Sequence, residues 1–328
     1  MTDPQLSRRE LLGTLGGVLV GQALGQAGRV EAADTSGKAP PVVDTHIHVA
    51  NPRLPGIRAT NPGLAPFGKA DVIGLKRLAK AIEEETRKAG ITHALCMPRL
   101  EISDADPLGI QDTLAVAEAV RGVRLYAIGL AHPERYDRDH LERVEAVLKQ
   151  GKVKALKAYL GYLHHGPSSP GYRPYYRLAA KYKVPVIFHS GDTYSTKAKL
   201  RYAHPLGVDE VAVDYPETRF VLAHFGNPWL MDAAEVLYKN ANVYADLSAV
   251  LIGDAEAFAT MKKEGVLERA VKRVQEAIEF SEAPGKFMFA TDWPLAPWAT
   301  YRDFVRQLFP EKHHAAVFGG TAKTLFNL

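Results

Sequence analysis

The chain has 328 residues, 46% hydrophobic and 24% charged, a balance that suits one large α/β domain or two modest ones and gives no sign of disorder. Its formal charge of +4 is small for this length and spread along the chain, so nothing in it calls for a nucleic-acid partner. The single cysteine, Cys96, excludes an internal disulfide and any Cys-rich zinc or iron–sulfur site, so a metal here needs His and carboxylate ligands.

The N-terminal stretch "SRRELLGTLGGVLVGQALGQAGRVEAAD" pairs Arg8 with Arg9, continues through a weakly apolar Gly-rich run, and reaches the small residues Ala32 and Ala33 before Asp34. That layout predicts a twin-arginine export signal over 1–33 and a periplasmic or other extracytoplasmic destination, with an uncleaved N-terminal membrane anchor as the alternative. The run is poor in bulky residues for a stable membrane span, so no span is expected once the signal is removed. A short linker, 34–41, would lead into the domain. The twin-arginine route moves folded proteins, which suits a cofactor loaded in the cytoplasm.

From residue 42 onward, eight apolar runs alternate with helix-like segments. The runs are "VVDTHIHVA" (42–50), "ITHALCMPR" (91–99), "RLYAIGLAHP" (124–133), "VKALKAYLG" (153–161), "VPVIFHSG" (184–191), "RFVLAHFG" (219–226), "NVYADLSAV" (242–250) and "KFMFATDWP" (286–294). Between them, "GLKRLAKAIEEETRKAG" spaces its apolar residues by three and four and stops at Gly90, and "DRDHLERVEAVLKQG" stops at Gly151. Eight such repeats predict an α/β fold, a single-domain (β/α)8 TIM barrel over 42–328, with "HHAAVFGGTAKTLFNL" as a C-terminal helix packed over the ring. An open doubly wound sheet is disfavoured, because no early strand-to-helix turn carries a Gly-x-Gly-x-x-Gly phosphate loop.

In such a barrel, catalytic groups sit where strands end. In the first run strand alternation sets His46 and His48 on one face, an arrangement that can grip a metal through neutral imidazoles, although an isolated pair fits two hydrogen-bonded histidines equally well. Lys157 and Tyr159 share a face near the end of the fourth run. His189 closes the fifth, His224 the sixth and Asp292 the eighth. Each alone reads as an ordinary hydrogen-bonded or capping residue; together they form a set of nitrogen and oxygen donors suited to Zn2+ or another divalent first-row metal.

The segments "DTHIHV", "ALKAY", "VIFHSG", "HPLGVDEVAVDYPETRFVLAHFGNP" and "FMFATDWP" resemble, in this order, the amidohydrolase superfamily and in particular its amidohydrolase-related branch of metal-dependent (β/α)8-barrel enzymes. The resemblance runs from Val42 to Leu328. It implies that His46, His48, His189 and Asp292 approach one divalent ion, with Zn2+ expected, while His224 binds a second metal or polarises the substrate carbonyl. It further implies that a strand-four lysine such as Lys157 is carbamylated in two-metal members. A charged Lys157 beside Zn2+ would repel it, so the reading prefers one metal, with Lys157 touching substrate or an acidic neighbour. Thr321 departs from an Asn common at this place in the family, which touches only a minor packing expectation.

The implied activity is hydrolysis of an amide, lactone or other ester of a small molecule: the ion activates water, Asp292 takes and returns the proton, and His224 stabilises the oxygen that gains charge. The alternatives are a metal-dependent decarboxylase of an aromatic or unsaturated acid and a catalytically silent barrel that only binds. Substrate contacts are sought in Tyr159, Trp293, Asp246 and Ser248. Lys197, Lys199 and Arg201 either attract an anionic substrate or form a wet surface. A Pro- and Gly-rich loop over 51–71 is long enough to cover the site. His164, His165, Tyr172 and Tyr176 read as solvated loop residues, His132 as a helix-entry hydrogen-bonder, and Cys96 as core. A homo-oligomer is the one protein partner left open.

Overall fold

Each apolar run carries a parallel strand. The computed structural model describes residues 41–49 and 75–328; the expected export signal, the linker through residue 40 and the 51–71 loop lie outside the described residues. The strands are β1 Val43–Ile47, β2 His93–Cys96, β3 Arg124–Leu130, β4 Val153–Ala158, β5 Val186–Phe188, β6 Phe220–Leu222, β7 Val243–Asp246 and β8 Phe287–Met288. They pair in sequence order, all parallel. Beyond the short β8, Asp292 N–H donates to His46 O at 2.9 Å and His48 N–H to Trp293 O at 2.8 Å, bringing the last strand back to the first. The result is a nearly closed (β/α)8 barrel, and the described residues form one domain.

Helices α1 Leu75–Ala89, α2 Gln111–Ala119, α3 Arg138–Lys149, α4 Arg173–Tyr182, α5 Leu206–Asp214, α6 Leu230–Lys239, α7 Ala255–Lys263, α8 Val266–Phe280 and α9 Trp298–Leu308 cover the outside. The expected periodicity is visible in α1, which buries Ala79, Ile82, Thr86 and Ala89 and ends at Gly90, whose φ of 68° is the left-handed stop that glycine accepts most readily. In α3 the Asp137 side chain caps the first turn by accepting from His140 N–H at 2.9 Å.

Two apolar layers follow. One lies between strands and helices. The other fills the barrel, where Val43, Leu95, Ile128, Ala155, Ile187, Val221 and Met288 meet Ala322, Leu325 and Phe326. The last three belong to α10, Thr321–Phe326. The C-terminal helix therefore plugs the N-terminal mouth of the barrel rather than joining its outer ring, which leaves the opposite mouth for chemistry. Gly319 lets it in: a Cβ there would lie 2.1 Å from Pro41 O. Thr321 donates to Gly285 O at 2.8 Å.

Candidate functional site

At the C-terminal mouth the strand ends bring His46, His48, His189, His224 and Asp292 together. His48 Nε2 lies 3.2 Å and His46 Nε2 3.7 Å from Asp292 Oδ1, and His224 Nε2 lies 3.1 Å from His189 Nδ1. The donor atoms of His46, His48 and Asp292 all fall within 4.8 Å of one another. All but His48 are buried.

Local backbone places these groups. The β1–β2 register shifts between Asp44 and Ile47, an irregularity that strict alternation does not anticipate. Asp44 sits in it, fully buried, accepting from His46 N–H, Thr291 N–H, Thr291 Oγ1 and Trp298 Nε1. It thereby ties the His-x-His strand to the turn that presents Asp292. His224 and Asp292 both hold left-handed backbone. After His189, Gly191 has φ 96° and passes so close to the β6 loop that a Cβ would meet Asn227 O at 2.2 Å.

The ring protons can be assigned from acceptors that cannot donate. His46 Nδ1 faces Asp246 Oδ2 at 3.0 Å, so it carries the hydrogen and Nε2 is bare. Ser248 gives its hydroxyl hydrogen to Asp246 Oδ1. The Ser248 oxygen must then accept from His224 Nδ1 at 2.8 Å, with Ser248 main-chain O a second acceptor at 3.2 Å. His224 Nε2 is therefore bare. His189 Nε2 donates to Asp192 O at 2.8 Å, which bares His189 Nδ1. Bare nitrogens of three imidazoles thus lie at the same barrel mouth as Asp292 Oδ1, which among the described residues has no aligned donor.

Electrostatics agree with this assignment. Burial lowers the His46 imidazole to about 3 and pushes His189 and His224 down as well, so all three are neutral near pH 7. Burial alone would raise the Asp292 carboxyl; His46, His48 and His224 around it outweigh that and hold it well below the ordinary carboxylate range. For Asp246 burial is likewise overcome, by His46, His224 and the Ser248 bond. The site thus holds two carboxylates and neutral imidazoles, a donor set that attracts a cation.

A sequence profile of the family described as Amidohydrolase matches residues 43–328. The chain belongs to this amidohydrolase family. Among solved structures it shares the barrel fold with an uncharacterized TIM-barrel protein from Bordetella bronchiseptica (17% identity, TM-score 0.60, covering 88% of this chain and 98% of that one). It is similar too to an amidohydrolase from Burkholderia multivorans with bound zinc (15%, 0.59, 88% and 99%). A third is 5-carboxyvanillate decarboxylase from Sphingomonas paucimobilis (15%, 0.55, 88% and 100%). No curated protein matches the chain.

The amidohydrolase site opens into a cavity of about 310 Å3 whose floor is His46, His48, His189, His224 and Asp292. Tyr159, Tyr162 and Tyr194 are among its walls, and Arg99, Glu101 and Asp192 supply its charge. Tyr159 lines it as expected, with its hydroxyl given to Pro98 O at 2.8 Å.

Other sequence expectations are corrected. Lys197 and Arg201 are exposed and outside the lining, because the short turn Leu200–Tyr202 faces solvent and Arg201 lies over the Tyr202 ring. Among the described residues the cationic group at the cavity is instead Arg99, 3.2 Å from Asp112. Trp293 also leaves the lining: the turn after Asp292 sends its ring outward to stack on Trp298, with Nε1 donating to Glu85 Oε2. Asp246 and Ser248 lie behind the histidines, outside the lining. Tyr172 and Tyr176 are fully buried rather than solvated, whereas His164 is exposed. Lys157 is buried in the barrel, its Nζ without a hydrogen-bond partner among the described residues and 5.3 Å from the centre of the Tyr159 ring. Burial lowers this amine to about 8, against the pull of Asp246 and Asp292; among the described residues it forms no ion pair and does not line the cavity. His132 Nδ1 accepts from Glu134 N–H as expected, and Cys96 is buried in the core.

Tyr162, Tyr194 and Arg99 were missed. They stand in loops, where the apolar period that marks a strand end says nothing about direction.

Proposed function

We propose that this amidohydrolase is a metal-dependent hydrolase that cleaves an amide, lactone or other ester of a small molecule at a single divalent ion, with Zn2+ the first candidate. The observation that carries this reading is that His46, His48 and Asp292 present donor atoms within 4.8 Å of one another in a cavity that bare nitrogens of His189 and His224 also line. His224 Nε2 lies 3.1 Å from His189 Nδ1 and His46 Nε2 lies 3.7 Å from Asp292 Oδ1, each near the roughly 3.3 Å between donors around a tetrahedral zinc. His46, His48, His189 and Asp292 would hold the ion, with the bare Nε2 of His224 open to the same cation. Such an ion supplies Lewis acidity, polarising a carbonyl and making water acidic enough to react near neutral pH.

The chain's own groups do the rest. Asp292, held ionised, accepts the proton of the attacking water at Oδ1 and returns it to the leaving group. Neutral His224 keeps its hydrogen on Nδ1 and presents a bare Nε2 to the cavity, so it offers a lone pair rather than a hydrogen there. Sequence alone left His224 as a second-metal ligand or a group that polarises the substrate carbonyl; a bare Nε2 suits a ligand. The tyrosine walls exclude water from the bound molecule and favour a substrate with a flat or apolar body. Arg99 suits an acidic group on it.

Turnover of a panel of lactones, aryl esters and amides by zinc-loaded and chelator-treated protein tests the reading. Metal-dependent water consumption is the expected result. Carbon dioxide release from hydroxylated aromatic acids without hydrolysis would replace it with decarboxylation, and full activity after metal removal would overturn both. For residues 1–33 the proposal is export by the twin-arginine route; a variant with Lys at Arg8 and Arg9 is expected to stay in the cytoplasm.

A further inference from the structure

Asp246 is fully buried, and every group it touches donates to it. Oδ1 accepts His224 N–H at 3.0 Å, Ser248 N–H at 3.0 Å and the Ser248 hydroxyl, while Oδ2 faces His46 Nδ1 at 3.0 Å. Its carboxylate therefore dictates two protons. It holds one directly on His46 Nδ1. It fixes the other through Ser248, whose hydroxyl hydrogen is drawn to Oδ1 so that Oγ can only accept from His224 Nδ1. Were that hydrogen free, it could be given to His46 Nδ1 at 3.2 Å or to His224, and the proton of either ring would shift to Nε2, the nitrogen that faces the cavity floor. A buried carboxylate on the far side of a ligating imidazole is a general way to set its tautomer and basicity.

We propose that Asp246 is a positioning residue that holds the hydrogens of His46 and His224 on Nδ1, directly on one ring and through Ser248 on the other, keeping both Nε2 lone pairs available to a cation. This rests on the metal-binding reading above.

The substitution Asp246→Asn separates the two arms. Three donors converge on the Oδ1 position, so the amide oxygen must occupy it, and the NH2 group is forced to face His46 Nδ1. A hydrogen bond there requires Nδ1 to be bare, and the His46 hydrogen moves to Nε2. His224 keeps its hydrogen on Nδ1, because Ser248 still gives its hydroxyl hydrogen to the amide oxygen. The side chain hardly changes shape.

Long-range 15N–1H correlation of 15N-histidine-labelled, metal-free full chain reads the tautomers, with assignments from His46→Gln and His224→Gln. The wild type is expected to show both rings as Nδ1–H. In Asp246→Asn, His46 becomes Nε2–H while His224 does not, and zinc affinity by chelator competition falls about tenfold or more. A wild-type His46 already in the Nε2–H form overturns the proposal whether or not the variant folds. So does a folded variant in which His46 remains Nδ1–H or zinc affinity is unchanged. A wild type that has the stated tautomers but takes up no zinc overturns the hydrolase reading instead, and leaves the assignment of the two hydrogens to Asp246 intact.

Discussion

His224 and Asp292 share an uncommon backbone: φ is 60° at one and 61° at the other. Left-handed geometry costs of order 1–3 kcal/mol at a non-glycine residue, and it persists only where the surroundings enforce it. Here they do. His224 N–H is held by Asp246 Oδ1 and Asp292 N–H by His46 O, so each strained turn is anchored by the other half of the site. The strain aims both side chains at the same cavity floor.

Asp292→Asn isolates chemistry from this strain, because Asn accepts left-handed backbone as readily as Asp does. The fold is expected to survive, with a melting temperature close to that of the wild type. Turnover should fall by about 100-fold or more, the scale of losing a general acid–base group. Single-turnover kinetics on the zinc-loaded variant check this, and near-normal rates would remove Asp292 from the mechanism.

A second expectation concerns Trp298, whose indole Nε1 donates to Asp44 Oδ2 at 2.6 Å. Trp298→Phe keeps an aromatic ring but takes a donor from a buried carboxylate and leaves a void. The combined cost is about 3 kcal/mol. Denaturant unfolding of the metal-free protein measures it. Because Asp44 also holds Thr291 beside Asp292, zinc affinity should weaken in the same variant; unchanged unfolding and unchanged affinity together would show that this network is not what joins the first strand to the last.

The barrel was legible because parallel strands buried on both faces read as short apolar runs, and eight of them alternate with amphipathic segments. The polar residue closing each run marked His46, His189, His224 and Asp292, since little else in a buried strand end tolerates an imidazole. Three features were not written locally. The register shift in β1 depends on Asp44 finding partners in Thr291 and Trp298, more than two hundred residues away in sequence. The direction of Lys197 and Arg201 depends on how their loop docks. The position of α10 under the barrel depends on a backbone approach at Gly319 that no periodicity encodes.

His140 carries a pH dependence remote from the cavity. Tyr175 gives its hydroxyl hydrogen to Arg135 O, so His140 Nε2–H donates to Tyr175 Oη at 3.1 Å, and the buried Nδ1 has no partner among the described residues. Burial lowers this imidazole below its ordinary 6.5, because a second ring hydrogen would have no acceptor. The unfolded chain takes up the proton near 6.5, the folded one only further down. The stability linked to His140 is thus complete above that value and lost as pH falls toward the lower folded value. Urea midpoints at about pH 7.5 and about pH 5.5 should therefore differ less in His140→Phe than in the wild type. Equal differences in the two proteins would contradict the neutral assignment.

Metal removal should be visible in stability as well as in turnover. Bare nitrogens of His46, His189 and His224 lie among carboxylates that repel one another when no cation is present. An ion that binds the folded chain alone stabilises it by about 4 kcal/mol at a thousandfold excess over its dissociation constant. For a domain of this size that corresponds to roughly 7 °C in melting temperature. Scanning calorimetry of chelator-treated protein, repeated with zinc and with manganese added back, measures the shift. Addition of either ion is expected to raise the midpoint, and His189→Gln should shrink the rise by removing one nitrogen while leaving the barrel closed. If neither ion moves the midpoint of the wild type, the bare ring nitrogens have another use, and hydrolysis by an ion-activated water is the wrong chemistry for this cavity.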